Sequence, residues 1–375
     1  MNHFDLKIVS PPYDSPLTDI ILELEQLRKK FVFGSTKPSI FFQFKKIFHL
    51  LESLASARIE GNYTTVFEFV ETKINDEMPR DEHLKEIVNL EKALDFIDEN
   101  SDCPIDRIFV AKLHQMVVAE CVAEGDPTPG IYRQINVKIA RSPHIPPDYL
   151  QVSGYMDELL GFINQEVAPK YGLLKIAIAH HRFAWIHPFN NGNGRTARLL
   201  IYAMLLKQRF NVGKAGRILN PTAVFCNNRE KYYDYLSVAD GGDEQGIMQW
   251  CEYVLDGLRN EIHKIDRLLD YEYLKKEILL PALKIAVDQN TITYEEEKIL
   301  EIAVRKQEFQ SRDLQKLFAE KLPQHISRII RNLKNKKMVM PVEGSKRKYV
   351  IIFDCNPLLR GIIRKLGEKG FIPFE

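Results

Sequence analysis

The run His187-Pro188-Phe189-Asn190-Asn191-Gly192-Asn193-Gly194-Arg195-Thr196-Ala197-Arg198 collects the parts of an anion-handling reaction centre in one short stretch. Pro188 stops the apolar helix that precedes it. Asn-Asn-Gly-Asn-Gly supplies residues that tolerate positive φ, so successive backbone N–H groups can converge into a nest for an anion. A second helix starts at about Gly194 and aims its positive dipole end at the same space. Arg195 and Arg198, three apart, share a face of that helix and can both reach a polyphosphate. His187, just ahead of the nest, offers a neutral imidazole that can take a proton from an attacking hydroxyl. Taken singly, His187 is more often a capping or core histidine, and the loop is simply a strong turn signal. Nest, arginine pair and base together fit phosphoryl or nucleotidyl transfer, where positioning and charge neutralisation supply most of the catalysis.

The same stretch resembles the signature of the Fic family, H-P-F-x-[D/E]-G-N-G-R-x-x-R, at every specified position but one. The resemblance extends upstream through His180-His181-Arg182-Phe183 and through Gly130–Pro147, which is similar to the family's target-positioning flap at Asn136, Val137, Lys138 and Ile139. Downstream, Asn228-Arg229-Glu230-Lys231-Tyr232-Tyr233 is similar to the region that covers the nucleotide base. These segments span about residues 105 to 260. The resemblance implies a protein adenylyltransferase that moves AMP from ATP to a Tyr, Thr or Ser hydroxyl of a partner protein. His187 would be the base. Gly192, Asn193, Gly194 and Arg195 would hold the phosphates, Arg198 would grip the terminal phosphate, and Tyr233 would pack near adenine. The departure is Asn191, where the family carries Asp or Glu to help hold Mg²⁺. An amide oxygen is still a hard ligand, but losing the charge weakens such a metal site.

Ser56-Ala57-Arg58-Ile59-Glu60-Gly61-Asn62 resembles the family's inhibitory motif, [S/T]-x-x-x-E-[G/N]. Ser56 and Glu60 are four apart and so lie on one helical face. By itself a glutamate there is an ordinary surface charge. Beside the first motif, it implies that Glu60 pairs with Arg198 and that Ser56 fixes the segment. The same residues leave open removal of AMP from a modified protein, with Glu60 positioning water.

The elements that must position these residues are mostly helices. Apolar residues recur at helical spacing over Ile40–Ala55, Leu84–Ile97, Ile108–Val122, Leu150–Ile163, Leu173–Ile186, Leu199–Leu206, Tyr232–Leu236 and Ile247–Leu269. Gly130–Ile139 instead alternates apolar and polar residues before Pro143, Pro146 and Pro147, which predicts a short strand or hairpin with a rigid exit. After about Lys275 the pattern changes. Helices are expected over Tyr294–Val304, Ser311–Ala319 and Pro323–Lys336, followed by a hairpin of Met338–Val342 and Tyr349–Ile352. Three helices and a hairpin are the plan of a winged helix-turn-helix. The expected fold is therefore mainly α: a Fic-type helical bundle with a β-hairpin flap, plus a C-terminal winged helix-turn-helix domain. The expected divisions are 1–103, a helical region with the inhibitory motif; 104–270, the catalytic core; 271–292, a helical linker; and 293–375, the winged-helix domain and tail.

Between Arg312 and Lys348 basic residues outnumber acidic ones by eleven to three. In a winged helix Gln324, Ser327, Arg328 and Arg331 would lie on the recognition helix and Lys346–Lys348 in the wing, a plan suited to DNA. That keeps a transcriptional regulator with a nucleotide-sensing core as a non-enzymatic alternative. Over the 375 residues the net charge is only +1, so the whole molecule is no general polyanion binder. The start, Met1-Asn2-His3-Phe4-Asp5, lacks the basic and apolar runs of a signal peptide, and no apolar run is long enough to span a bilayer. The five scattered cysteines lack C-x-x-C spacing, which with these features leads to the expectation of a cytoplasmic protein without membrane partners. A homodimer stays open.

Overall fold

Side-chain caps set the start of most helices. The computed structural model describes residues 4–29, 35–139, 142–210, 221–315, 317–318, 322–342, 344–345 and 347–372. Helix α1 (Pro16–Lys29) is followed by the 23-residue α2 (Pro38–Glu60). Pro38 sits in the first turn of α2, where its missing N–H costs nothing. Gly61 (φ 108°) closes it, and the Asn62 N–H reaches back to the Ala57 carbonyl at 3.1 Å. A Thr65/Glu68 capping box then starts α3 (Val66–Asn75), and Asp81, Asp106 and Asp148 cap α4 (Glu82–Glu99), α5 (Arg107–Val117) and α6 (Tyr149–Asn164).

Helices α7 (Gly172–Ile186) and α8 (Asn193–Lys207) are buried on nearly every side. They form the hub against which α2, α4, α5, α6 and α11 (Glu244–Asp266) pack. Two shorter helices, α9 (Thr222–Cys226) and α10 (Arg229–Ala239), pack on each other and on α11, with α9 also on α2. Helix α5 ends at Val117, short of the expected Val122, because Glu120 takes a positive φ and turns the chain.

The expected strand or hairpin at Gly130–Ile139 is not there: no described residue of that segment pairs as a strand. Side chains hold it instead. Asn136 Nδ2 donates to Asp148 Oδ2 (3.1 Å) while Asn136 Oδ1 accepts the Tyr149 N–H (2.9 Å), so the segment is pinned to the start of α6. Alternation at Ile135–Ile139 alone, without a neighbouring strand to share hydrogen bonds, does not make a sheet.

The C-terminal part begins with α12 (Tyr271–Tyr273), a π turn (Leu274–Leu279) and α13 (Leu280–Asp288). Pro281, which lacks an N–H, follows the π turn. Then come α14 (Tyr294–Lys306), β1 (Phe309–Gln310), α15 (Ser311–Leu314), α16 (Pro323–Asn335), β2 (Val339–Pro341), β3 (Lys348–Ile351) and α17 (Leu358–Glu368). The three strands form one antiparallel sheet in the order β1-β3-β2, with Phe309 opposite Tyr349 and Met340 opposite Val350. Helix α15 is shorter than expected. Lys316, Ala319, Glu320, Lys321, Glu343 and Lys346 lie outside the described residues. This part docks on α2: the Gln43 amide donates to the Ile351 carbonyl (2.9 Å) and accepts from the Phe353 N–H (2.8 Å), and Arg360 pairs with Glu71 of α3. Among the described residues no helix is long and apolar enough to cross a membrane.

One buried acid in α2 is a stability liability. Glu52 is 3% exposed and, among the described residues, accepts hydrogen bonds only from the N–H and hydroxyl of Thr222. Burial pushes its carboxyl up to about 8. The folded protein thus keeps a proton that the unfolded chain releases near 4.5. Stability from this group is full below 4.5 and is lost as pH rises through 8, about 3 kcal/mol of it by pH 7. Glu52→Gln is expected to stabilise the protein by about 1–3 kcal/mol at pH 8 and hardly at all at pH 5. Thermal melts at the two pH values check this, and an equal gain at both would point to some other cause.

Candidate active site

His187 ends α7 in the left-handed conformation (φ 51°, ψ 61°), and Pro188 prevents further helix. Its Nδ1 lies 3.4 Å from the Ala184 carbonyl; a proton there leaves Nε2 with a free lone pair. Burial pushes the imidazole down to about 4; Arg133 and His144 press in the same direction, while the Ala184 carbonyl and Glu60 resist. It is therefore neutral at ordinary pH.

The loop after His187 is fixed from several sides. Phe189 stacks on His114 with ring centres 3.7 Å apart. The Asn193 side chain bridges the Phe189 N–H and carbonyl, both at 2.9 Å. His114 Nε2 lies 3.0 Å from the Asn191 carbonyl while its Nδ1 accepts the Gly130 N–H (2.8 Å), a pattern that requires neutral imidazole. Asp126 accepts the N–H groups of Asn190 (3.0 Å) and Asn191 (3.2 Å). Part of the expected nest is thus filled by the protein's own carboxylate. Gly192 needs to be glycine twice over: its φ is +73°, and a Cβ would stand 2.9 Å from Val118.

Because Gly192 offers no side chain as a cap, the α8 N-terminal turn at Asn193, Gly194 and Arg195 is uncapped by any side chain. The carboxylate of Glu60 stands on it. A Cβ added at Gly194 would lie 2.2 Å from Glu60 Oε1 and 3.1 Å from Arg198 Nη1. Arg198, 2% exposed, gives Nε to Ser56 Oγ (2.9 Å) and Nη2 to the Ser56 carbonyl (3.0 Å) and Glu60 Oε1 (2.6 Å). Burial raises the Glu60 carboxyl, but the charges of Arg198, Arg195 and Arg229 outweigh it and hold the group below its ordinary value. Ser56, Glu60, Gly194 and Arg198 are therefore brought together.

Arg195 is not brought to the same place as Arg198. Its Nη1 pairs with buried Glu86 (2.8 Å) and its Nη2 with Glu124 (3.1 Å), so the two arginines diverge from their shared helix face. Asn62 completes this side by donating to Glu86 (2.7 Å). Tyr232 is core: its hydroxyl meets His180 Nε2 at 2.9 Å, and His180 and Phe225 stack beneath it. His181 pairs with Asp240 (2.9 Å) away from the loop. Tyr233 is 40% exposed beside Arg229, whose guanidinium lies 5.6 Å from the ring centre. Val137 and Ile139 are half-buried, and Asn136 and Lys138 are exposed.

Four supports of this site escape sequence reasoning: Glu86, His114, Asp126 and Arg133. Each acts from far along the chain, and none carries a local spacing signal.

Residues 104–205 match the family model described as the Fic/DOC family. The chain is 32% identical over 210 residues to the protein adenylyltransferase Fic of Culex quinquefasciatus, covering 54% of this chain and 38% of that protein. Against the enzyme of the same name from Aedes aegypti it is 31% identical with the same coverage. The chain spans about two-fifths of the length of these curated relatives. Among solved structures, a Fic family protein from Desulfovibrio desulfuricans aligns with TM-score 0.55 and 20% identity, over 92% of this chain and 98% of that one. A Fic domain containing signaling protein from Bacteroides thetaiotaomicron aligns with TM-score 0.54 and 18% identity, over 68% and 97%. At such identities these two speak to the fold alone.

Proposed function

We propose that residues 104–205, which match the Fic/DOC family model, form a Fic domain, and that the chain transfers AMP from ATP to a hydroxyl side chain of a protein target, restrained at rest by Glu60. The observation that supports this reading best is the Glu60 carboxylate on the α8 N-terminal turn, bound to Arg198. A carboxylate held there marks an anion site, and it occupies the cation that would receive the terminal phosphate. With Glu60 displaced, the α8 turn and Arg198 hold the β- and γ-phosphates. Nε2 of neutral His187 takes the proton of the target hydroxyl. That oxygen bonds to the α-phosphorus as the bond to the pyrophosphate oxygen breaks, so AMP ends on the target and pyrophosphate leaves. The target chain lies along Asn136–Ile139, and Tyr233 borders the base. Appearance of label from α-labelled ATP on protein, and its loss in His187→Ala, tests the reading.

Mg²⁺ does not fit this site as a protein-held ion. Asn191 Oδ1, the oxygen at the family's metal position, already accepts the Gly192 N–H at 2.7 Å and lies 3.4 Å from Arg195 Nη2. Among the described residues no group of three or more His, Cys, Asp or Glu could hold a metal.

A second activity is supported by the C-terminal part, which we read as a winged helix-turn-helix that binds DNA. Ile326, Ile329, Ile330 and Leu333 of α16 are buried, while Gln324, Ser327, Arg328 and Arg331 are exposed along its other side. That is the division of a helix whose outer face meets a groove. Arg328→Ala with Arg331→Ala is expected to weaken DNA binding and to lower the slope of log affinity against log salt by about 2. Salt-dependent fluorescence anisotropy reads the slope, and an unchanged slope removes the reading.

A further inference from the structure

Arg133 is 2% exposed, and a charge so deeply buried needs compensation. Its guanidinium finds that in backbone carbonyls. Nε donates to the His187 carbonyl (2.8 Å), Nη1 to Ile135 (2.9 Å), and Nη2 to Pro147 (2.5 Å) with Ile186 at 3.4 Å. Its own backbone N–H donates to the Pro188 carbonyl (2.8 Å). These acceptors belong to two places. Ile135 and Pro147 bracket the flap, whereas Ile186, His187 and Pro188 are the end of α7 and the first step beyond it. The carbonyl end of a helix attracts a cation, and the planar five-donor fork of arginine can serve several acceptors at once.

We propose that Arg133 is a positioning residue for the base: it fastens the two ends of the flap to the peptide groups on both sides of His187, and so sets the distance between the imidazole and a hydroxyl presented along Asn136–Ile139. The proposal rests on the adenylyl-transfer reading. His187 stands in the left-handed region, which a residue with a side chain rarely adopts, so its backbone needs holding from outside. The bonds to the carbonyls of Ile186 and His187 hold the peptide groups before and after it, and the bond to the Pro188 carbonyl holds the next one. Among the described residues, no hydrogen bond of Arg133 goes to the α8 turn, Arg198 or Tyr233, so the clamp is separate from the proposed nucleotide contacts.

The test uses the Glu60→Gly chain as parent. Adding Arg133→Lys keeps a buried cation but removes the fork. It is expected to lower kcat, counted per nucleotide-binding site, by about 10- to 100-fold, while KM for ATP stays within about twofold. A purely structural role would reduce the number of binding sites and the melting temperature, and leave kcat per site as in the parent. A second readout does not need turnover. The titratable groups that act on the imidazole are Glu60 of α2, Arg133 itself and His144 within the flap. In Arg133→Gln the ring resonances of His187 are expected to shift and its titration midpoint to rise, because a nearby positive charge is gone. Unchanged kcat per site in Arg133→Lys, or unchanged ring resonances and midpoint in Arg133→Gln, overturns the proposal. If the parent itself transfers no AMP, the adenylyl-transfer reading fails, and the imidazole titration still decides whether Arg133 governs His187.

Discussion

Glu60→Gly is expected to raise AMP transfer on the order of 10²-fold over the unaltered chain. Removing one partner of a hydrogen-bonded ion pair leaves the other charge open to whatever anion can replace it, an effect of up to about 3 kcal/mol for a pair in which only Arg198 is fully buried. Here the replacement is the terminal phosphate of ATP, so part of that energy becomes available for aligning the nucleotide. Glycine also removes the atoms that stand on Gly194. Ser56→Ala is expected to act in the same direction but more weakly, since it deletes one neutral hydrogen bond to Arg198 and spares the ion pair. The measurement is label transfer from α-labelled ATP at saturating nucleotide. A rate unaffected by Glu60→Gly would mean that the carboxylate leaves readily and restrains nothing.

The second large effect is loss. His187→Ala in the Glu60→Gly background is expected to reduce transfer by about 10³-fold, within the usual range for removing a general base, and to leave ATP affinity within about twofold. The accompanying pH profile is distinctive. An ordinary histidine base loses activity as pH falls through 6.5, but this one is held down to about 4, so the acid limb should stay flat to about pH 5. Removing Glu60 takes away an anion that favours the protonated ring, which extends the flat region further. The same two groups explain why acid should not switch on the unaltered chain. Glu60 is held below its ordinary 4.5, so the brake is released by protonation only where His187 is itself being protonated. A rate that halves near pH 6.5 would place the proton acceptor elsewhere.

Much of this site was legible because its chemistry is local. His187, Gly192, Gly194 and Arg198 are close in sequence, and helix geometry alone places Arg198 one turn beyond Gly194. Glu60 was legible only through motif resemblance, since its partner lies 138 residues away. Arg195 shows the limit of helical spacing. Three residues from Arg198, it turns to Glu86 across 109 residues of sequence, and no local rule foresees that competing carboxylate. His114 and Asp126 hold the loop from 77 and 64 residues upstream, each by contacts with backbone groups that carry no residue type to recognise. The flap illustrates a different failure. Period-two alternation at Ile135–Ile139 suits a strand, but a strand is defined by its neighbour, and here the neighbour is the capped start of α6. Helix starts are set locally: Thr65, Asp81, Asp148 and Thr293 each accept a hydrogen bond from the first turn that follows.

The carboxylate over Gly194 also does a janitor's work. A bare helix N-terminus beside a free guanidinium is a general trap for sulfate, inorganic phosphate and every small carboxylic acid in solution. With Glu60 seated there the resting site carries its own counter-ion, tethered and therefore at constant effective concentration. A stray monoanion gains little by displacing it, whereas a ligand that also engages the base and the rest of the loop can compete. On the proposed reading, the same carboxylate that restrains transfer is a filter, keeping the cradle clean for a polyphosphate.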